Sequence, residues 1–216
     1  MLILSLATYL ICLCVALSFS IAMVVFYINP VVKKDYGTKL QPDISLSDMQ
    51  ELETNLALFL SENNLKPGAS IWKIARALKV IDVGSVDDIS SRARIYEPGI
   101  NGTHTVVHSR GIPDNERLFD FAHELGHRIN RDPLPADRPH GNNKPKMEQL
   151  ADYTGAALLM PLEHIYKFLT DSNYESASRR KRVAIVRQLS RKYHVDELTT
   201  IRRVNEVRML KQHDKK

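Results

Sequence analysis

Residues 114–129 read DNERLFDFAHELGHRI, and this stretch decides how the surrounding chain folds. Its apolar side chains recur at the spacing of one helix face. They are Leu118, Phe121, Ala122, Leu125 and Ile129. Asp114 is available as the N-cap, and Glu116 lies in the first turn, where a carboxylate suits the helix dipole. The segment is therefore predicted to be an amphipathic helix.

The polar face of this helix carries His123-Glu124-Leu125-Gly126-His127, the HExxH pattern. Residues i and i+4 share one helix face, so His123 and His127 can converge on one metal ion. Glu124 lies one position further round and can accept a proton from a water on that metal. The pattern indicates a catalytic zinc site with Glu124 as its base.

A catalytic zinc ion usually takes three protein ligands, so a third donor must follow. Glu148 comes after twenty intervening residues, and Asp152 stands four residues later, on the same face of a helix predicted over 146–160. This arrangement resembles the glutamate zincins, in which the Glu is the third ligand and the Asp orients a ligand histidine. The spacing favours Glu148 as the third ligand and Asp152 as the carboxylate that orients a ligand histidine.

The proline-rich stretch 131–145 offers alternative third ligands. They are Asp132, Asp137 and His140. A metzincin arrangement is excluded, because its glycine and third histidine would fall at Asn130 and Pro133.

Two strands are predicted upstream, at 91–96 and 103–108, joined by the turn-rich residues 98–102. They indicate a small antiparallel sheet. Extended substrates commonly pair with a strand edge, and Thr103–His108 is the candidate edge, with an ordinary hairpin strand as the alternative. Candidates for stabilising an oxyanion are Tyr153, His104, His108, His140 and His164, and the sequence does not choose among them.

Helices are predicted on both sides of this region. Ser47-Asp48-Met49-Gln50 is a capping-box pattern that opens a helix ending near Asn63-Asn64. Ser70 can cap a second helix through Leu78. A further helix is predicted from Leu162 to Leu169.

The N-terminus differs in composition from the rest of the chain. Residues 2–28 contain no charge, whereas a helix needs roughly 20 apolar residues to cross a bilayer. Lys33, Lys34 and Lys39 follow this span, which predicts a cytoplasmic position for the folded part. A cleaved signal peptide is the alternative, and it would leave a mature N-terminus near Ile21.

The basic character of the chain is concentrated in its tail. The chain has 30 Lys and Arg against 25 Asp and Glu, a net charge of +5, while residues 175–216 alone carry about +8. Two short helices are predicted there, Val183–His194 and Glu197–Val207. Such a tail suits DNA or anionic lipid, but an apolar stripe including Val186 and Leu189 favours packing, and we do not expect nucleic acid binding.

Three segments together resemble the ImmA/IrrE metallopeptidases. They are 117–127 (RLFDFAHELGH), 148–152 (EQLAD) and 156–161 (AALLMP). The resemblance covers about residues 70–165. Thr154-Gly155 stand where the family usually has Phe-Ala, and the N-terminal span is not part of the family pattern.

This resemblance implies a zinc-dependent peptidase, with manganese as an alternative metal. It implies His123, His127 and Glu148 as ligands, Glu124 as catalytic base and Asp152 as supporting carboxylate. Family members cut helix-turn-helix repressors, so a specific protein, plausibly such a repressor, is the expected substrate.

The whole chain is accordingly predicted to be a mainly helical α+β, zincin-like metallopeptidase with a small antiparallel sheet, preceded by one transmembrane helix. Its expected parts are an anchor (1–32), a linker (33–44), the peptidase domain (45–170) and a basic helical tail (171–216). The alternative function is a non-catalytic regulator, stabilised by its metal, that binds DNA or a partner through the tail.

Overall fold

The computed structural model describes residues 44–87, 93–99, 101–132 and 143–213. The helices within these residues are α1 (Leu46–Glu62), α2 (Ile71–Ala77), α3 (Asp114–Ile129), α4 (Asn143–Leu159), α5 (Leu162–Asp171), α6 (Arg179–Tyr193) and α7 (Glu197–His213). The strands are β1 (Val80–Val86), β2 (Ala93–Tyr96) and β3 (His104–Ser109). The predicted α+β, mainly helical class is confirmed.

Some sequence predictions fall outside this part of the chain. The predicted membrane span 2–28 and nearly all of the linker lie outside the described residues, as do Asp137 and His140. Among the helices that the structure describes, none is both long and apolar enough to cross a bilayer.

Within the described residues the sheet has three strands in the order β1-β3-β2 and is mixed. β2 and β3 pair antiparallel, as the hairpin pattern predicts, with Ile95 opposite Val106. β1 pairs parallel with β3, so the prediction of a purely antiparallel sheet is wrong. β1 was not predicted, because the left-handed residue between α2 and β1 is Lys79 (φ 52°) and no glycine marks the boundary.

Four predicted helix starts shift: those of α1 and α3 by a residue or two, and those of α4 and α6 to Asn143 and Arg179 instead of 146 and 183. The N-cap of α1 is Ser45, whose hydroxyl accepts from the Asp48 N–H while the Asp48 carboxylate accepts from the Ser45 N–H. The capping box therefore begins two residues before Ser47. Pro113 is the N-cap of α3, and Asp114 lies in the first turn instead of capping it.

Helices α3 and α4 pack closely because a glycine lies on each contact face. A Cβ on Gly126 would lie 2.6 Å from the carbonyl oxygen of Ala151, and one on Gly155 would lie 2.9 Å from the His123 nitrogen. Only glycine permits this approach. Gly155, where the resembled family has alanine, therefore brings the histidine-bearing helix against the helix that carries Glu148.

The basic tail forms the predicted pair of helices, α6 and α7, joined at a left-handed His194 (φ 52°). Val186 and Leu189 of the predicted apolar stripe are fully buried. Helix α7 packs against α1, α4 and α5. The tail helices thus contribute to the same packed body as the HExxH helix, and Arg203 of α7 is completely buried there.

Candidate metal centre

Three side chains from α3 and α4 bring ligand atoms to one point. His123 Nε2 lies 3.0 Å from His127 Nε2 and 3.2 Å from Glu148 Oε2, and His127 Nε2 lies 3.5 Å from the same oxygen. Zinc–ligand bonds of about 2.05 Å give a tetrahedral ligand–ligand separation of about 3.3 Å. The spacing of the three donors therefore fits one tetrahedral zinc ion.

Both imidazoles are oriented by carboxylates. His123 Nδ1 donates to Asp152 Oδ1 at 2.8 Å, and His127 Nδ1 donates to Asp132 Oδ2 at 2.8 Å. A carboxylate only accepts, so each Nδ1 carries a proton, and Nε2 is the atom that presents a lone pair when the ring is neutral. With both rings neutral, the two Nε2 lone pairs would face each other at 3.0 Å and repel, so this arrangement fits a cation between them.

The role of Asp132 as the hydrogen-bond partner of His127 was not predicted, since Asp132 was considered only as a third ligand. The chain turns back after α3 at a left-handed Arg131 (φ 59°), and the Asp132 N–H donates to the His127 carbonyl at 2.9 Å. This turn places the Asp132 carboxylate beside the His127 ring. An Asp within a turn of the second histidine was the available signal.

The electrostatics of the donor set favour a positive charge. Burial alone would lower the pKa of His123, but hydrogen bonds to Asp152 and Glu148 outweigh it and raise that pKa to about 10. Hydrogen bonds from His123, then His127, hold the pKa of Glu148 well below its ordinary value. The pocket therefore stabilises a cation, whether protons or a metal ion supply the charge.

Glu124 lies next to these donors and is nearly buried, at 5% exposure. Its Oε2 accepts the backbone N–H of Ile95 at 3.2 Å, so that N–H points away from β3 and the outer edge of β2 runs beside Glu124. The candidate edge Thr103–His108 is therefore wrong: β3 is the central strand and pairs on both sides. β1, which the sequence analysis did not predict, pairs with the edge of β3 that was expected to be free.

Most of the oxyanion candidates are engaged elsewhere. The Tyr153 hydroxyl donates to Glu53 at 2.7 Å, and burial raises the pKa of Tyr153. His108 is fully buried near Asp82, and burial lowers the pKa of its ring. His104 Nδ1 lies 3.1 Å from the Tyr96 carbonyl oxygen. His164 packs where a Cβ on Gly68 would lie, and His140 is outside the described residues.

Arg117, the arginine of the motif, fixes the start of α3 to the sheet. Its Nη2 donates to both carboxylate oxygens of Asp82 on β1, at 3.1 and 2.9 Å. This ion pair holds the helix that carries both histidines against β1.

Residues 82–205, more than half of the chain, match the profile of peptidase family M78, an IrrE N-terminal-like domain. Among solved structures, a Mycobacterium tuberculosis transcriptional regulator is similar at 15% sequence identity and a TM-score of 0.48. The alignment covers 71% of this chain and 46% of that one, so this chain spans less than half the regulator's length. Curated proteins give no significant match.

Proposed function

The chain belongs to peptidase family M78, and from this premise we propose that it is a zinc-dependent peptidase acting at a membrane. The match agrees with the ImmA/IrrE resemblance of the sequence motifs. The observation that carries the proposal is the donor geometry: His123, His127 and Glu148 lie within ligand distance of one another, with both histidines oriented by carboxylates.

The proposed roles follow from this geometry. His123, His127 and Glu148 hold the ion, for which zinc is the best fit and manganese the alternative. Zinc in such a site supplies a Lewis acid that polarises a carbonyl and lowers the pKa of a water. Glu124 accepts the proton of the attacking water and passes it to the leaving amine. Asp152 and Asp132 keep the two imidazoles in the required tautomer.

The outer edge of β2 is the proposed binding edge for the substrate backbone. The Ile95 N–H donates to Glu124 on that edge, so a peptide extended along β2 would pass the catalytic carboxylate. The substrate we propose is a specific protein, a helix-turn-helix repressor, as the family resemblance implies.

Glu124→Gln tests the catalytic proposal. The variant keeps the three ligands, so metal analysis of the purified full chain should find one zinc per chain in both proteins. Cleavage should fall by roughly 100-fold to 10,000-fold, the usual contribution of a general base. The measurement is the set of new N-termini that the wild type generates in its own cell proteome.

Glu51→Gln, which removes an exposed carboxylate of α1, is the matched control and should generate the wild-type set. If Glu124→Gln produces the same new N-termini at the same rate as the wild type, the chain is not a peptidase of this mechanism.

The membrane anchor is a separate proposal, supported by the 27 uncharged residues 2–28 and the lysines after them. We expect the mature chain to begin at its original N-terminus and to stay in the membrane pellet after alkaline extraction. Protease added to sealed inverted membrane vesicles should digest the catalytic domain. A mature N-terminus near Ile21 would instead identify a cleaved leader.

A further inference from the structure

Asp152 lies between a metal-binding histidine and the C-terminal helix. Its Oδ1 accepts from His123 Nδ1 at 2.8 Å, and its Oδ2 lies 3.4 Å from Arg202 Nη1 on α7. The carboxylate and the guanidinium are each about one-third exposed, at 33% and 32%. One carboxylate thus connects the candidate metal centre to a residue fifty positions further along the chain.

The next residue, Arg203, determines where α7 meets α4. Its Nη2 lies 2.7 Å from Glu53 Oε1, its Nε donates to the Met160 carbonyl at 3.0 Å, and its guanidinium lies 5.1 Å from the centre of the Tyr153 ring. Tyr153 directly follows Asp152. The same buried contacts that dock α7 therefore place Arg202 beside Asp152.

We propose that Arg202 is a positioning residue of the metal centre. Hydrogen bonding to both oxygens of Asp152 limits the rotation of that carboxylate, and a fixed carboxylate keeps His123 Nε2 aimed at the ion. Helix α7 is then a working part of the site, not an appendage of the peptidase domain. The inference rests on one part of the proposed function, the metal site at His123, His127 and Glu148, and does not depend on peptidase activity.

Zinc affinity tests this inference without relying on peptidase activity. The probe is zinc itself, titrated into the full chain in detergent micelles against a coloured chelator. Outer partners of ligand histidines typically contribute 10- to 100-fold in affinity. Arg202 acts one contact further out and is partly exposed, so Arg202→Gln should weaken zinc binding by roughly threefold to tenfold.

Arg202→Lys keeps a positive charge that can make one charge-assisted hydrogen bond to Asp152 Oδ2, so its zinc dissociation constant should lie within about twofold of the wild-type value. Arg191→Gln is the matched control, since it removes an exposed arginine of α6, and it should bind zinc as the wild type does. If Arg202→Gln does not fold, Arg202→Ala replaces it, since alanine is compatible with a helix. The expected loss of zinc affinity is the same.

A double-mutant cycle separates action through Asp152 from action through Glu206, which also attracts Arg202. In an Asp152→Asn background, Arg202→Gln should cause no further loss of zinc affinity. An equal loss in both backgrounds overturns the inference. So does an unchanged zinc affinity accompanied by a lower melting temperature of the zinc-free protein. A wild type that binds no zinc overturns the proposed metal site as well.

Discussion

Two clusters of charged side chains lie beside α4, and their charges are balanced differently. The metal-site cluster comprises His123, His127, Glu148, Asp132 and Asp152. The arginine cluster comprises Arg203, Glu53, Glu206 and Tyr153. Asp152 and Tyr153 are neighbours in sequence but belong to different clusters, because consecutive helical residues point about 100° apart.

In the arginine cluster the chain supplies its own cation. The Arg203 guanidinium is fully buried and lies 2.7 Å from Glu53. Burial by itself would lower the pKa of Arg203, but the effects of Glu53, Tyr153 and Glu206 outweigh it and raise that pKa. In the metal-site cluster His123 Nε2 and His127 Nε2 face each other 3.0 Å apart. The first cluster contains its own cation, whereas the donors of the second can take a cation from solution.

The largest expected effect comes from removing the cation of the arginine cluster. Arg203→Met leaves the buried Glu206 and the part-buried Glu53 without this cation, and breaking a buried pair costs about 3–5 kcal/mol. Thermal unfolding of the full chain in detergent micelles should show a large fall in melting temperature. Arg180→Met, which removes an exposed arginine of α6, should unfold as the wild type does. An Arg203→Met variant as stable as the wild type would mean that the Arg203 contacts do not hold α7 in place.

A pH dependence of about 3 kcal/mol is expected from Glu206. Burial raises the pKa of Glu206 to about 7, against the smaller opposing effects of Arg203 and Arg202 and with a further rise from Glu53. The folded state therefore holds a proton that the unfolded state releases near pH 4.5. The extra stability is complete below pH 4.5 and is lost as the pH rises to about 7.

The measurement for Glu206 is the free energy of unfolding as a function of pH, in the presence of EDTA, for the wild type and Glu206→Gln. The free energy of unfolding of the glutamine variant should not fall between pH 4.5 and about 7 as that of the wild type does. Relative to the wild type, the variant should therefore be more stable above pH 7 than below pH 4.5. Glu62→Gln, an exposed carboxylate of α1, should keep the wild-type slope. Parallel curves for wild type and Glu206→Gln would show that Glu206 is ionised in the folded protein throughout.

The smallest effect concerns the residue that sequence reasoning missed as a histidine partner. Asp132→Asn keeps the size of the side chain but lets the His127 ring adopt the other tautomer. Zinc affinity should fall by about 10- to 100-fold, the usual contribution of such a partner. Asp171→Asn, an exposed carboxylate of α5, should leave zinc binding unchanged. If Asp132→Asn binds zinc normally, the hydrogen bond at His127 Nδ1 does not orient the ligand.

Much of the candidate site was predictable because its spacing is local. A helix places His123 and His127 on one face whatever surrounds it, and the same rule relates Glu148 to Asp152. The structure brings these four side chains together. Helix existence was predicted throughout, whereas the starts of α1, α3, α4 and α6 shifted, because the apolar period does not mark where the first turn begins.

Each periodic element and the composition of the chain follow from the sequence: the HExxH helix, the carboxylates of the following helix, the β2–β3 hairpin and the uncharged N-terminal block. The tertiary structure adds contacts that no period encodes: β1 beside β3, Arg202 at Asp152 and, within one turn of the chain, Asp132 at His127. The physical reason is that a local period depends on backbone geometry alone. The added contacts depend on left-handed residues at Arg131 and Lys79 and on a buried arginine, none of which leaves a periodic trace.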